Sequence, residues 1–201
     1  QMCIRDRGKA LATIHTLPIE IVREADLPTY TAQRCRDRML AELDRAAGTG
    51  KVPAPLLRRW ESRLEDPRLW RFRPTVIHGD LSEENLVLDG TRLAAVRGWH
   101  DMQVADPAAD FAWLMSCPDQ DFADAIVEVY TVQLPHTPDP HLLRRAYLHA
   151  EFALAQWLVR GTEQGDETTV SEAQAMLRTL ERDLRESGAL DEPRDSEAPA
   201  E

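Results

Sequence analysis

Positive charge is what this sequence lacks most. Its 24 lysines and arginines stand against 35 aspartates and glutamates, a net charge of −11 over 201 residues. Such a surface repels a phosphate backbone, which excludes nucleic acid as a principal partner. Long apolar runs are missing as well. No stretch approaches the ~18 uninterrupted apolar residues of a membrane span. The N-terminal QMCIRDRGKALATIHTL is broken by charges too early to act as a secretory signal. No membrane partner is expected, and the cytoplasm is the expected location. Cys3, Cys35 and Cys117 are scattered, odd in number and without CxxC spacing, which argues against a disulfide framework or a cysteine zinc site. Nothing in the sequence specifies an oligomeric state.

What is present suits a folded domain, with 43% hydrophobic and 29% charged residues. The chain starts without a methionine and runs almost at once into the helical pattern LATIHTL, as if entered in mid-fold. Residues 1–7 look unlike the rest of the chain and are set apart as a doubtful extension of a domain over 8–190. At the other end, 191–201 hold five acids against Arg194 and read as a disordered acidic tail. After a connection from Pro18 to Pro28, Tyr30–Ala47 predicts a helix with Met39, Leu40 and Leu43 inward, ended by Gly48-Thr49-Gly50. Pro53–Asp66 predicts another, with Leu56, Leu57, Trp60 and Leu64 at three- and four-residue steps. The period then changes. Thr75–Ile77, Leu86–Leu88 and Leu93–Val96 are β-prone, and Asp89-Gly90 between the last two is a hairpin turn signal. Asp106-Pro107 opens a helix with an acidic N-cap and a first-turn proline. Two long helices complete the pattern. One has a stripe of Leu143, Tyr147, Ala150, Leu154 and Trp157; the other has Ala173, Met176, Leu177, Leu180 and Leu184, started by a Ser171/Gln174 capping box. The fold class is α+β, mostly helical, with a small hairpin.

Chemistry concentrates in Val76-Ile-His78-Gly79-Asp80-Leu81-Ser82-Glu83-Glu84-Asn85-Leu86. A loop between two strands presents an aspartate and, five residues on, an asparagine. The kinase catalytic loop has that spacing; there the aspartate orients the substrate hydroxyl and the asparagine amide oxygen ligates a metal on the phosphates. Phosphoryl transfer needs an in-line nucleophile and neutralised phosphate charge, so one carboxylate and hard oxygen ligands for Mg²⁺ are the minimum.

His78-Gly79-Asp80 with Asn85 resembles the HGDxxxxN motif of the aminoglycoside and macrolide phosphotransferase and choline kinase superfamily. Asp106-Pro107-Ala108-Ala109-Asp110-Phe111-Ala112, after the hairpin, resembles that family's GDPxxDLA segment. The resemblance implies a kinase-like C-terminal lobe and an ATP- or GTP-dependent transfer, with Mg²⁺, to a hydroxyl of a small molecule such as an aminoglycoside or macrolide. It implies Asp80 as catalytic base or hydroxyl-orienting group and Asn85 as magnesium ligand; Ser82 is a candidate to approach the transferred phosphate, with an ordinary loop serine as the alternative. His78, Asp106 and Asp110 would support the catalytic loop, Asp106 chiefly as an N-cap. An acidic surface, with Glu83 and Glu84 beside the loop, would also attract a cationic substrate.

Two departures weigh against this. The family's Ile-Asp-Trp after the hairpin, whose aspartate holds the metal bridging the phosphates, is here Arg97-Gly98-Trp99. Gly98 thus occupies the metal-aspartate position, and Asp101 is the carboxylate that would have to compensate. No glycine-rich loop with a strand lysine precedes the catalytic loop either, so the ATP-covering N-terminal lobe is missing from these 201 residues and the fragment alone should not turn over. A pseudokinase-like binding or regulatory protein is the alternative. A metal phosphohydrolase using His78, His100 and Asp101 is a third reading, disfavoured because an adjacent His-Asp pair of that kind belongs on a helix.

Overall fold

The computed structural model describes residues 2–191 apart from Thr91, Pro118 and Pro138. Eight α-helices and four strands are described: α1 Met2–His15, α2 Glu20–Glu24, α3 Ala32–Gly48, α4 Ala54–Glu65, β1 Thr75–Ile77, β2 Leu86–Asp89, β3 Arg92–Val96, β4 Gln103–Ala105, α5 Ala112–Met115, α6 Gln120–Gln133, α7 Leu142–Gln164 and α8 Glu167–Glu186. Short 3₁₀ turns lie at Glu83–Asn85, Trp99–Asp101, Pro107–Phe111 and Ala189–Asp191. No described helix is long and apolar enough to cross a membrane. Residues 2–7, set apart in the sequence, are the first turns of α1, with Ile4 packed against the core. Of the acidic tail, residues 192–201 lie outside the described residues.

The chain divides into two compact units, one of Gln1–Cys35 with Arg71–Ala150, the other of Arg36–Trp70 with Glu151–Glu201. The first holds the strands. β2 and β3 form the hairpin expected around Asp89-Gly90. The sequence offers no evident partner for Thr75–Ile77; β4 supplies it, pairing with β1 antiparallel in the register Val76↔Val104. Val104 also bonds Pro28 and Tyr30 through its backbone on its other side. Val22, Val76 and Val104 make a small core on this ribbon, with Val22 coming from α2, a helix within the Pro18–Pro28 connection. The larger core gathers Leu11 of α1, Leu81 of the loop, Phe111, Ile126 and Tyr130 of α6, and Ala146 of α7. Helix α6, which the sequence pattern does not announce, packs on α1.

In the second unit, α4 buries the face expected of it, with Leu56, Trp60 and Leu64 fully enclosed. Trp60 meets Phe152 with ring centroids 5.0 Å apart. Glu151 accepts hydrogen bonds from Arg59 Nε (3.1 Å), Arg59 Nη2 (2.9 Å) and Trp60 Nε1 (2.8 Å).

Two expectations about the C-terminal helices fail. The buried residues of α7 are Leu142, Arg145, Ala146, Leu148, Glu151, Phe152, Ala155, Leu158, Val159 and Gly161, not the predicted stripe; Tyr147 is exposed. Arg145 and Glu151 sit on the inward face with partners for their charges, so polarity misreports the helix's orientation. Helix α8 starts one turn before the supposed capping box: Asp166 is its N-cap, accepting from Thr168 and Thr169 N–H. Met176 is exposed, while Ala173 and Leu177 are buried.

Candidate active site

The loop from His78 to Asn85 links β1 to β2, and its backbone is held from beneath by Asp110. That carboxylate is fully buried and accepts the N–H of His78 at 2.8 Å and of Gly79 at 2.9 Å. Its Oδ2 also lies 3.1 Å from His15 Nε2, whose ring partner Nδ1 is 3.0 Å from the Tyr130 hydroxyl. Because Asp110 can only accept, His15 carries its proton on Nε2 and receives the Tyr130 O–H on Nδ1. Burial, then the charge of Asp110, pushes the Tyr130 hydroxyl well above the ordinary phenol range, so it stays a donor. A chain of four groups thus reaches from α6 through α1 to the loop. Neither His15 nor Tyr130 stands out in the sequence, where they lie 95 and 115 residues from their partners in this chain.

His78 is itself fully buried. Its Nε2 donates to the Arg97 carbonyl at 2.9 Å, its Nδ1 accepts the Asp80 N–H at 3.3 Å, and its ring lies 4.8 Å from that of Trp99. Both nitrogens are engaged, so His78 braces the turn. Gly79 has φ +88°, and a Cβ there would stand 2.2 Å from the Asp101 carbonyl oxygen. The His78–Asn85 loop and the Trp99–Asp101 turn therefore meet backbone to backbone at a point only glycine can occupy.

Asn85 Nδ2 donates to the Asp80 carbonyl at 2.7 Å and approaches Ser82 Oγ at 3.4 Å. That fixes the amide orientation and leaves Oδ1 unengaged among the described residues. Oδ1 faces Gly98, whose Cβ, if it had one, would lie 2.7 Å away. The Gly98 position thus adjoins Asn85, but it has no side-chain donor to offer. The Asp80 side chain is 60% exposed and points away from its own backbone clamps into a group with His100 and Asp101. His100 Nε2 is 3.3 Å from Asp101 Oδ2 and 4.0 Å from Asp80 Oδ2. His78 is not in this group, and His100-Asp101 lies on a 3₁₀ turn rather than an α-helix, which removes the geometric basis of the phosphohydrolase set.

Asp106 is placed differently from Asp110. It caps the Pro107–Phe111 turn by accepting from Ala108 N–H, and it pairs with Arg145 (2.8 and 3.1 Å) and His149 (3.2 Å) on α7. Burial would raise its pKa, but the hydrogen bond from His149 and the charge of Arg145 outweigh that and hold it at about 2. Arg145 also lies 4.3 Å over the Phe72 ring. Among the described residues it is Asp110, not Asp106, that reaches the loop backbone. Glu83 is exposed and ion-paired to the buried Arg7 at 3.1 Å.

A model described as the phosphotransferase enzyme family matches residues 2–148. An uncharacterized protein of Bacillus subtilis (strain 168), YcbJ, is 30% identical over 94 residues, 46% of this chain and 28% of that protein. Among solved structures, a macrolide 2'-phosphotransferase type I superposes with a TM-score of 0.81 at 24% identity, covering 88% of this chain and 59% of that one. The macrolide 2'-phosphotransferase MphH from Brachybacterium faecium gives 0.74 at 21%, covering 97% and 61%. The GDP complex of aminoglycoside 2'-phosphotransferase-IIIa gives 0.73 at 19%, covering 89% and 62%. The chain spans about three fifths of the length of these structures, and its fold is theirs.

Proposed function

From the premise that this chain belongs to the phosphotransferase enzyme family, we propose that the whole protein moves the terminal phosphoryl group of ATP or GTP onto a hydroxyl of a small molecule. The observation that carries this is the clamp from Asn85 Nδ2 to the Asp80 carbonyl. It ties the hydroxyl-orienting carboxylate to the phosphate-side amide in one rigid loop. Asp80 accepts the hydroxyl proton as that oxygen bonds to the terminal phosphorus, and the bond to the nucleoside diphosphate breaks on the opposite side. Ser82, which receives the second Asn85 contact, lies on the phosphate side of the loop in this assignment. Asp110, with His78, keeps the loop in the geometry the transfer needs.

Magnesium suits hard oxygen donors. Asn85 Oδ1, freed by the engagement of Nδ2, and the exposed Asp101 carboxylate are the donors we assign to it. When bound with the nucleotide, it would neutralise charge on the phosphates. Related structures hold kanamycin with GDP and streptomycin with ATP. An antibiotic of the aminoglycoside or macrolide type is accordingly the proposed substrate class. Glu83, Glu84 and Asp101, all exposed near the loop, would favour a cationic one. The cytoplasm, which supplies ATP and GTP, is the proposed location.

Gly98 supports a second reading, a binding or regulatory protein that has kept the fold and lost transfer, because the backbone beside Asn85 carries no carboxylate. Thermal shift of the whole protein with ATP or GTP, with and without Mg²⁺, separates the two. A magnesium-dependent shift that Asp101→Ala removes, with phosphoryl transfer that Asp80→Asn abolishes, supports the enzyme. Nucleotide-independent behaviour with no transfer supports the second reading.

A further inference from the structure

The group formed by Asp80, His100 and Asp101 is not needed in full by either the enzymatic or the regulatory reading, and its imidazole is foreign to a magnesium site. Each residue offers one ligand atom, and the three atoms lie within 4.8 Å of one another. A tetrahedral zinc or cobalt ion holds nitrogen and oxygen at about 2.0–2.2 Å, which places any two of its ligand atoms about 3.4 Å apart. The separation of His100 Nε2 from Asp101 Oδ2 is 3.3 Å, already at that value; that to Asp80 Oδ2 is 4.0 Å. All three side chains are more than half exposed, so they can turn onto one ion without disturbing any core.

The backbones that carry these ligands are fixed. Gly79 presses against the Asp101 carbonyl, the His78 ring packs on Trp99 next to His100, and His78 Nε2 holds the Arg97 carbonyl just before that turn. Two rigid segments therefore present a carboxylate, an imidazole and a second carboxylate to one point, with solvent free to supply the fourth ligand. An imidazole with two carboxylates ranks zinc and its neighbours in the first transition row far above magnesium, which prefers oxygen alone and gives up its water reluctantly.

The geometry points to a transition-metal site formed by Asp80, His100 and Asp101, in which a zinc-like divalent ion is bound by the protein alone, without nucleotide. Binding has a consequence that rests on the proposed function: the ion engages the Asp80 carboxylate, so that Asp80 can no longer accept the hydroxyl proton, and it takes Asp101 from magnesium. The site then acts as a brake on transfer.

The test is titration of the whole, untagged protein with Zn²⁺ alone by isothermal calorimetry, and with Co²⁺ followed by its visible absorption, in the absence of nucleotide. One ion per chain is expected, with the absorption of a four-coordinate nitrogen and oxygen site. His100→Ala and Asp101→Asn are expected to weaken binding by ~100-fold or more, since even outer-shell supports of metal ligands are worth ~10–100-fold. The circular dichroism of both variants is expected to be unchanged, because these side chains are exposed. No stoichiometric binding would reduce the group to a histidine side chain beside two carboxylates and overturn the site. Binding that survives His100→Ala, or a cobalt spectrum with thiolate character, would place the ion elsewhere and overturn it equally. None of these outcomes depends on phosphoryl transfer, so the site and the enzymatic reading can fail separately. If the site stands, zinc inhibition of transfer that His100→Ala relieves is the sign of the brake.

Discussion

His15 Nε2 donates to Asp110 Oδ2 across 3.1 Å with both side chains fully buried. Asp110 spends its other bonds on the His78 and Gly79 N–H groups, so this contact is what keeps a buried carboxylate satisfied on the side away from the loop. His15→Ala leaves Asp110 and the Tyr130 hydroxyl each one partner short and is expected to cost about 3 kcal/mol. Tyr130→Phe, which strands only His15 Nδ1, is expected to cost about 1–2 kcal/mol. Urea unfolding of the three proteins tests the order; no loss from Tyr130→Phe would mean that the network does not extend to Tyr130.

Asp106 sets an acid limit. Its folded pKa of about 2 lies below the ordinary 3.8, so the unfolded chain takes up the proton first. The stability this group contributes is present above about pH 4 and is lost as pH falls toward 2. A shift of this size corresponds to about 2–3 kcal/mol. Asp106→Asn is expected to be less stable at pH 7 and to show a flatter stability profile between pH 4 and 2, measured by denaturant midpoints at each pH.

Glu151 is the counterpart in the second unit. Glu151→Ala leaves Arg59 without its carboxylate and Trp60 Nε1 without an acceptor, in a place where Trp60 is fully enclosed. A loss of about 3–5 kcal/mol is expected, read by thermal or denaturant unfolding. Glu151→Gln, which keeps an acceptor for the indole, should lose less.

The two glycines of the site predict opposite uses of one experiment. Gly79→Ala places a Cβ 2.2 Å from a carbonyl oxygen at φ +88°, and a loss of more than about 2 kcal/mol is expected together with loss of nucleotide-dependent stabilisation. Gly98→Asp places a carboxylate beside Asn85. Here φ is +85° and the new Cβ would lie 2.7 Å from Asn85 Oδ1, so the substitution costs about 1–2 kcal/mol in backbone strain and pushes aside the amide it should assist. Magnesium-dependent binding of nucleotide, followed by thermal shift, is expected not to improve.

The candidate site was legible where it is local. His78, Asp80 and Asn85 announce themselves by spacing within one loop, and Asp89-Gly90 specifies the hairpin after it. What the sequence hid is what distant residues do for one another. His15 reads as one more position in an apolar helix until Asp110 is brought against it, and Gln103–Ala105 is too short to look like a strand before β1 pairs with it. Helix α7 misleads for a different reason. Its inward face includes Arg145 and Glu151, each neutralised by partners far along the chain, so the apolar stripe read from the sequence falls on Tyr147 and its neighbours instead. Asp166 lost to Ser171/Gln174 because a capping box is a louder pattern than a lone aspartate, although the aspartate accepts the two N–H groups that matter.

Arg145 and Asp106 are both almost wholly enclosed. Replacing such a pair together by apolar side chains of similar volume is often neutral, whereas removing either partner alone costs about 3–5 kcal/mol. Any lineage that changes one position at a time must therefore cross a poorly folded ancestor to lose the pair. Arg145 and Asp106 are held in place by the lack of a passable route away from them, and they should persist in descendants of this chain even where the His78–Asn85 loop has changed its task.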